Sequence, residues 1–148
     1  MKNTLSLLLL VLVLCGQAAS QQQTNINDQE AARMLLGRHM FSLQWVSWDR
    51  FGAATVVNRK GVYRLTGEQR NAGGDLVKID GVITSIDEKE FGFNGTIVTQ
   101  VSHINSGAEC VREGEFTFKI TGKRKYWRLM QMENPCDPVT DYVDIFFK

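Results

Sequence analysis

From residue 39 onward, apolar and polar positions alternate in short runs. Phe41, Leu43 and Trp45 share one parity, followed by Ala54 with Val56, Tyr63 with Leu65, Val77 with Ile79 and Ile83, and Phe91 with Phe93 and Ile97. A period of two marks a strand with one buried face. Short polar breaks separate the runs: Asp49-Arg50-Phe51-Gly52, Asn58-Arg59-Lys60-Gly61, a stretch containing Gly73-Gly74, and Asp87-Glu88-Lys89. Gly61 stands where a tight hairpin turn needs positive φ. The clearest unit spans residues 110–136. Phe116, Phe118 and Ile120 share a face, Thr117, Lys119 and Thr121 take the other, and Trp127 and Leu129 resume the alternation after Gly122-Lys123-Arg124-Lys125. This predicts a hairpin bracketed by Cys110 and Cys136. With a closing run at 142–147 the chain has about eight strands.

An apolar residue, a polar residue and a glycine recur as Leu65-Thr66-Gly67, Ile79-Asp80-Gly81, Phe93-Asn94-Gly95 and Ile120-Thr121-Gly122. The i, i+2 relation puts each glycine on the inward face, where a missing side chain lets a small barrel turn a corner. Ahead of the strands, Asn27 and Glu30 have the spacing of a capping box, Ala31, Ala32, Met34, Leu35 and Leu36 are helix formers, and Gly37 ends the run. A short helix closing one end of the sheet by its Met34/Leu35 face is expected. Nothing between the strands is long enough for the crossover helices of a parallel sheet. The predicted fold is therefore mainly β: a single antiparallel up-and-down β-barrel with a short N-terminal helix, a β-sandwich being the alternative.

Residues 1–20 differ from this pattern. Lys2 is their one charge, an unbroken apolar run covers 7–14, and Gly16, Ala18, Ala19 and Ser20 follow. This reads as a secretory signal peptide cleaved near Ser20, too short for a membrane span. A flexible leader at 21–26 and one barrel domain at 27–148 would remain, in a secreted or periplasmic protein. Cys15 raises a lipoprotein as the lesser alternative, since Leu14 stands where a small residue usually precedes a lipidated cysteine. Cleavage removes one of 17 Lys and Arg and none of 16 Asp and Glu, leaving a balanced chain with no global field to draw it to nucleic acid. Two cysteines, Cys110 and Cys136, remain after cleavage, and in an oxidising compartment such a pair forms a disulfide. Closing a loop of that length is worth about 3.5 kcal/mol in the chain-entropy model.

Residues 101–144, VSHINSGAECVREGEFTFKITGKRKYWRLMQMENPCDPVTDYVD, resemble an uncharacterised family of small secreted bacterial proteins, which implies no known activity. The build is also similar to that of lipocalins, secreted barrels with a short helix and a disulfide. Thr140-Asp141-Tyr142 is similar to their threonine-aspartate-tyrosine motif, although it falls in the last strand and the lipocalin glycine-x-tryptophan signature is absent around Trp45 and Trp48. The likeness concerns build, because fold does not carry function with it.

Candidate chemistry is sparse. His103 lies in a polar loop near Glu109 and Glu113, the natural start for a hydrolytic or metal-dependent site. His39 is the one other imidazole, and no metal-ligand spacing or nucleophile motif accompanies either. A non-enzymatic binding module is the better expectation, without cofactor or metal, and monomeric. Phe41, Leu43, Trp45, Tyr63, Phe93, Phe116, Phe118 and Trp127 are candidates to line a pocket for an apolar small molecule, although an eight-stranded barrel is just wide enough for side chains to fill. His103, Asn105, Lys123, Arg124 and Lys125 are candidate rim or loop contacts for a protein partner. The basic turn also suits a polyanion, but in a neutral exported chain it reads as a solvated hairpin tip. Asn94-Gly95-Thr96 fits a glycosylation sequon, relevant in a eukaryotic source.

Overall fold

The computed structural model describes residues 22–148; the expected signal segment, with Cys15 and Ser20, lies outside them. Eight strands follow one another as an antiparallel meander: β2 (Gly37–Leu43), β3 (Gly52–Arg59), β4 (Val62–Arg70), β5 (Leu76–Ile86), β6 (Glu90–Gln100), β7 (Cys110–Lys119), β8 (Tyr126–Leu129) and β9 (Val143–Phe146). β9 pairs back onto β2 through Phe41↔Ile145 and Leu43↔Val143, which closes the barrel and rules out the sandwich. A two-residue strand β1 (Asn25–Ile26) lies outside this ring, parallel to the end of β5, and the helix α1 (Gln29–Leu35) follows it.

The predicted leader is partly tied to the wall. Gln22 and Gln23 are exposed, but Thr24 is buried, donating its hydroxyl to Ile83 O (2.6 Å) and accepting from Tyr63 N (3.0 Å). The helix starts one residue later than the sequence spacing implies: Asp28 caps it, accepting from Ala31 N (2.7 Å), while Asn27 donates to Asp87 (2.9 Å). Of the expected Met34/Leu35 face, Leu35 is buried and closes the barrel end with Ala31 and Ala32, while Met34 is exposed. His39 fixes the helix there, its ring nitrogens 2.8 Å from Leu35 O and 2.9 Å from Phe146 O.

Most of the inward parity forms one packed core. Phe91 stacks on Phe118 at 5.0 Å, Trp127 meets Phe91 edge-on at 6.1 Å, and Phe93 contacts Phe116 and Phe118 at 6.1 and 6.2 Å. The glycine repeat has a geometric reason. Gly81 pairs with Gly95, and Gly95 with Gly114, so three glycines lie side by side across β5, β6 and β7. A Cβ at Gly81 would stand 2.7 Å from the Phe93 ring and 2.3 Å from Asn94 O, so Gly81 and its partner Gly95 make room for that ring and for close strand approach. Gly122 differs: it sits in the turn after β7 with φ 61°. At the β3–β4 hairpin Lys60 and Gly61 both take positive φ, as the sequence required of Gly61.

Two strand assignments change at the end opposite α1. β2 stops at Leu43, where Val46 N turns back to Leu43 O (3.0 Å), so Trp45 leaves the wall. Thr140-Asp141-Tyr142 precedes β9 instead of lying within it.

Candidate functional site

The end of the barrel away from α1 is built from the segments 44–51, 71–75, 101–109 and 130–142, and side-chain amides hold them. Buried Gln69 accepts from Leu43 N (2.7 Å) and donates to Arg50 O (2.8 Å) and Ser47 O (3.2 Å), while Asn71 donates to Val46 O (3.0 Å). Gln44 joins the first segment to the last, donating to Thr140 O (2.6 Å) and accepting from Tyr142 N (2.7 Å). Asp75 accepts from Ser102 N (2.8 Å) and Asn71 Nδ2 (3.0 Å). Desolvation works to raise the Asp75 pKa, but the bonds from Ser102 and Asn71 and the nearby His103 outweigh it, and the net shift is downward. The disulfide Cys110–Cys136 forms as expected, with Cα atoms 5.9 Å apart. Its neighbour Asn134 accepts from Cys136 N (2.8 Å).

Beneath these segments lies a buried charge pair. Arg112 occupies an inward position of β7, 8% exposed, and Asp141 is 1% exposed. Arg112 Nη1 stands 3.9 Å from Asp141 Oδ2 without a hydrogen-bond partner among the described residues, while its Nη2 donates to Gln131 O. Asp141 accepts from Trp45 Nε1 (3.2 Å) and Asn134 Nδ2 (3.1 Å). Burial raises the Asp141 pKa against the opposing pull of Arg112, Asn134 and Trp45; burial lowers that of Arg112 against the pull of Asp141.

Above the pair the surface is aromatic. Trp45 is half-buried, held by Asp141 below and by the His103 ring edge-on at 6.0 Å. Trp48 is 73% exposed. Together with Gln44, Val139, Thr140 and Tyr142 they line an open hollow of about 360 Å³. The Arg128 guanidinium lies 4.1 Å from the Tyr142 ring centre, oriented by two 2.7 Å bonds to Asp144. Those bonds are the main cause of an upward shift in the Arg128 pKa.

The expected site residues divide into three groups. Phe41, Leu43, Tyr63, Phe93, Phe116, Phe118 and Trp127 belong to the packed core, and from the pocket-lining set Trp45 borders this hollow. His103 and Asn105 lie at the aromatic end, Asn105 N donating to Asp137 (2.6 Å), whereas Lys123, Arg124 and Lys125 are exposed at the helix end. The rim set is thus split between opposite ends. His103, Glu109 and Glu113 are all exposed, and no hydrogen bond or ion pair links them among the described residues. Trp48, Val139 and Tyr142 were not singled out as contacts from the sequence, nor was the Arg112–Asp141 pair. One signal was available: Arg112 has the inward parity of Phe116 and Phe118.

The fold and this end define a small, closed, up-and-down β-barrel with a packed interior and an aromatic open end. The chain belongs to the PM1083 family, which it matches over residues 23–147. It is 45% identical over 137 residues to the uncharacterized protein PM1083 of Pasteurella multocida (strain Pm70), covering 90% of this chain and 89% of the relative. No solved structure matches it.

Proposed function

We propose that the protein is an exported, non-enzymatic binding module that takes a protein partner on the aromatic end of its barrel. The observation that carries this reading is Trp48, 73% exposed beside half-buried Trp45 on a segment pinned by Gln69 and Asn71. A large aromatic surface held rigid in water is costly unless a partner covers it, and tryptophan is prominent among residues that dominate interface energetics. Preorganisation lowers the entropy lost on binding. Export is supported by the composition of residues 1–20 and by the disulfide. The packed interior favours a partner at the rim over an apolar guest inside the barrel.

Native mass spectrometry of the protein exported by the cells that make it tests this reading. The expected species is the disulfide-bonded mature chain in complex with another polypeptide, a complex lost in Trp48→Ala. A bound small molecule retained by Trp48→Ala would overturn the reading.

A further inference from the structure

The barrel wall is incompletely paired at one seam. β7 has ten residues and β8 four. β6 covers β7 over its whole length, from Thr99↔Cys110 to Glu90↔Lys119. On the other side β8 pairs with Phe118 and Lys119, and Met130 N donates to Thr117 O (2.8 Å). Beyond that point the chain turns away. Gln131 contributes its side-chain oxygen to Thr117 N (2.9 Å), and Glu133 bridges to Thr140 instead of to β7. The disulfide at Cys110 closes the far end of the gap.

Alternate residues of an antiparallel strand direct their N–H and C=O to opposite neighbours. Thr117 faces β8, so Val111, Glu113 and Glu115 do so as well. Among the described residues, no backbone hydrogen bond meets them on that side. Val111 is 50% exposed, and Glu113 and Glu115 are exposed. A Cβ built on Gly114, between the glutamates, would meet nothing within 4 Å. Five residues of open edge extend about 17 Å, and such an edge is a template for an added strand.

We propose that this edge, at Val111, Glu113 and Glu115, docks an extended segment of a partner polypeptide bearing lysine or arginine at alternate positions. Charge selects that occupant. Glu113 and Glu115 project outward on the edge, Glu109 precedes it, and Glu133 lies on the chain that turned away. The nearest cation of β7, Arg112, points inward and is engaged by Gln131 and Asp141. On an added strand, side chains two apart share a face, so basic residues at i and i+2 stand opposite the two glutamates. A second copy of this edge would set glutamate against glutamate, which disfavours self-pairing. The site uses neither Trp45 nor Trp48 and stands independently of the aromatic end.

Amide hydrogen exchange on the full mature protein tests this in two stages. In the free protein, Val111, Glu113 and Glu115 exchange fast while Arg112 and Gly114, which face β6, exchange slowly. A blocked heptapeptide alternating lysine and valine then slows the three fast amides about tenfold, and the matching glutamate–valine peptide does not. Glu113→Lys with Glu115→Lys reverses that preference, and Trp48→Ala leaves the protection intact. Slow exchange of the three amides in the free protein would overturn the proposal. So would lysine–valine peptide at millimolar concentration that leaves them fast, or that protects the charge-reversed variant equally.

Discussion

The Arg112–Asp141 pair gives an unequal pair of single mutants. At 3.9 Å and an effective dielectric near 20, two unit charges attract by about 4 kcal/mol. Breaking such a buried pair from one side costs about 3 to 5 kcal/mol. Asp141→Ala should fall in that range, because an arginine cannot shed its charge and Trp45 and Asn134 also lose their acceptor. Arg112→Met should cost less, about 2 kcal/mol, because Asp141 keeps two donors and can take up a proton. The sign of its pH dependence follows. A carboxyl whose folded pKa is raised contributes stability below its unfolded pKa that is lost as pH rises through the folded value. The Arg112→Met deficit should therefore shrink on acidification from neutrality. Replacing both, Arg112→Met with Asp141→Leu, removes two desolvated charges and should lie within about 1 kcal/mol of the parent. Urea unfolding with the disulfide intact, at neutral and mildly acidic pH, compares the four proteins. Equal costs for the two single mutants, or a cost below about 1 kcal/mol for Asp141→Ala, would refute the reasoning.

Other parts of the fold yield further expectations. Cys110→Ser with Cys136→Ser should leave the circular dichroism of the barrel recognisable and lower stability by about 2 to 4 kcal/mol. Gly81→Val should cost more than about 3 kcal/mol, or prevent folding, because its Cβ would stand 2.3 Å from Asn94 O, whereas Gly74→Ala, with open space around it and φ +94°, should cost about 1 kcal/mol; thermal melts compare them. The depressed Asp75 pKa contributes stability that is present above its unfolded pKa and lost as pH falls through the folded value. Asp75→Asn should therefore remove part of the acid-side loss and speed amide exchange at Ser102.

The barrel was legible because its information is local and periodic. Inward parity at Phe41, Leu65, Ile79, Phe93, Phe118 and Trp127 fixes which face is buried, and short polar breaks leave an antiparallel meander as the economical connection. The glycine repeat pointed to wall corners, and pairing adds that Gly81, Gly95 and Gly114 meet across strands. The open end was harder to read. Trp45 continues the parity of Phe41 and Leu43, and nothing local records that Val46 N turns back to Leu43. The 44–51 segment is fixed by Gln69 and Asn71, which are distant in sequence and ordinary in composition. The helix start was misplaced by one residue because Asn27 and Asp28 are both good caps, and hydrogen bonding from Ala31 to Asp28 decides between them.

Site-specific photo-cross-linking in the cells that make the protein tests the central claim most directly. A photoreactive residue replaces exposed Thr140, which lines the hollow beside Trp48, in one strain and Arg64 on the outer wall of β4 in another. The account predicts a discrete adduct with a polypeptide from position 140 that is absent from position 64 and lost when Trp48 is also changed to Ala. The same adducts from both positions, or none from position 140 while the exported protein is folded and disulfide-bonded, would contradict it.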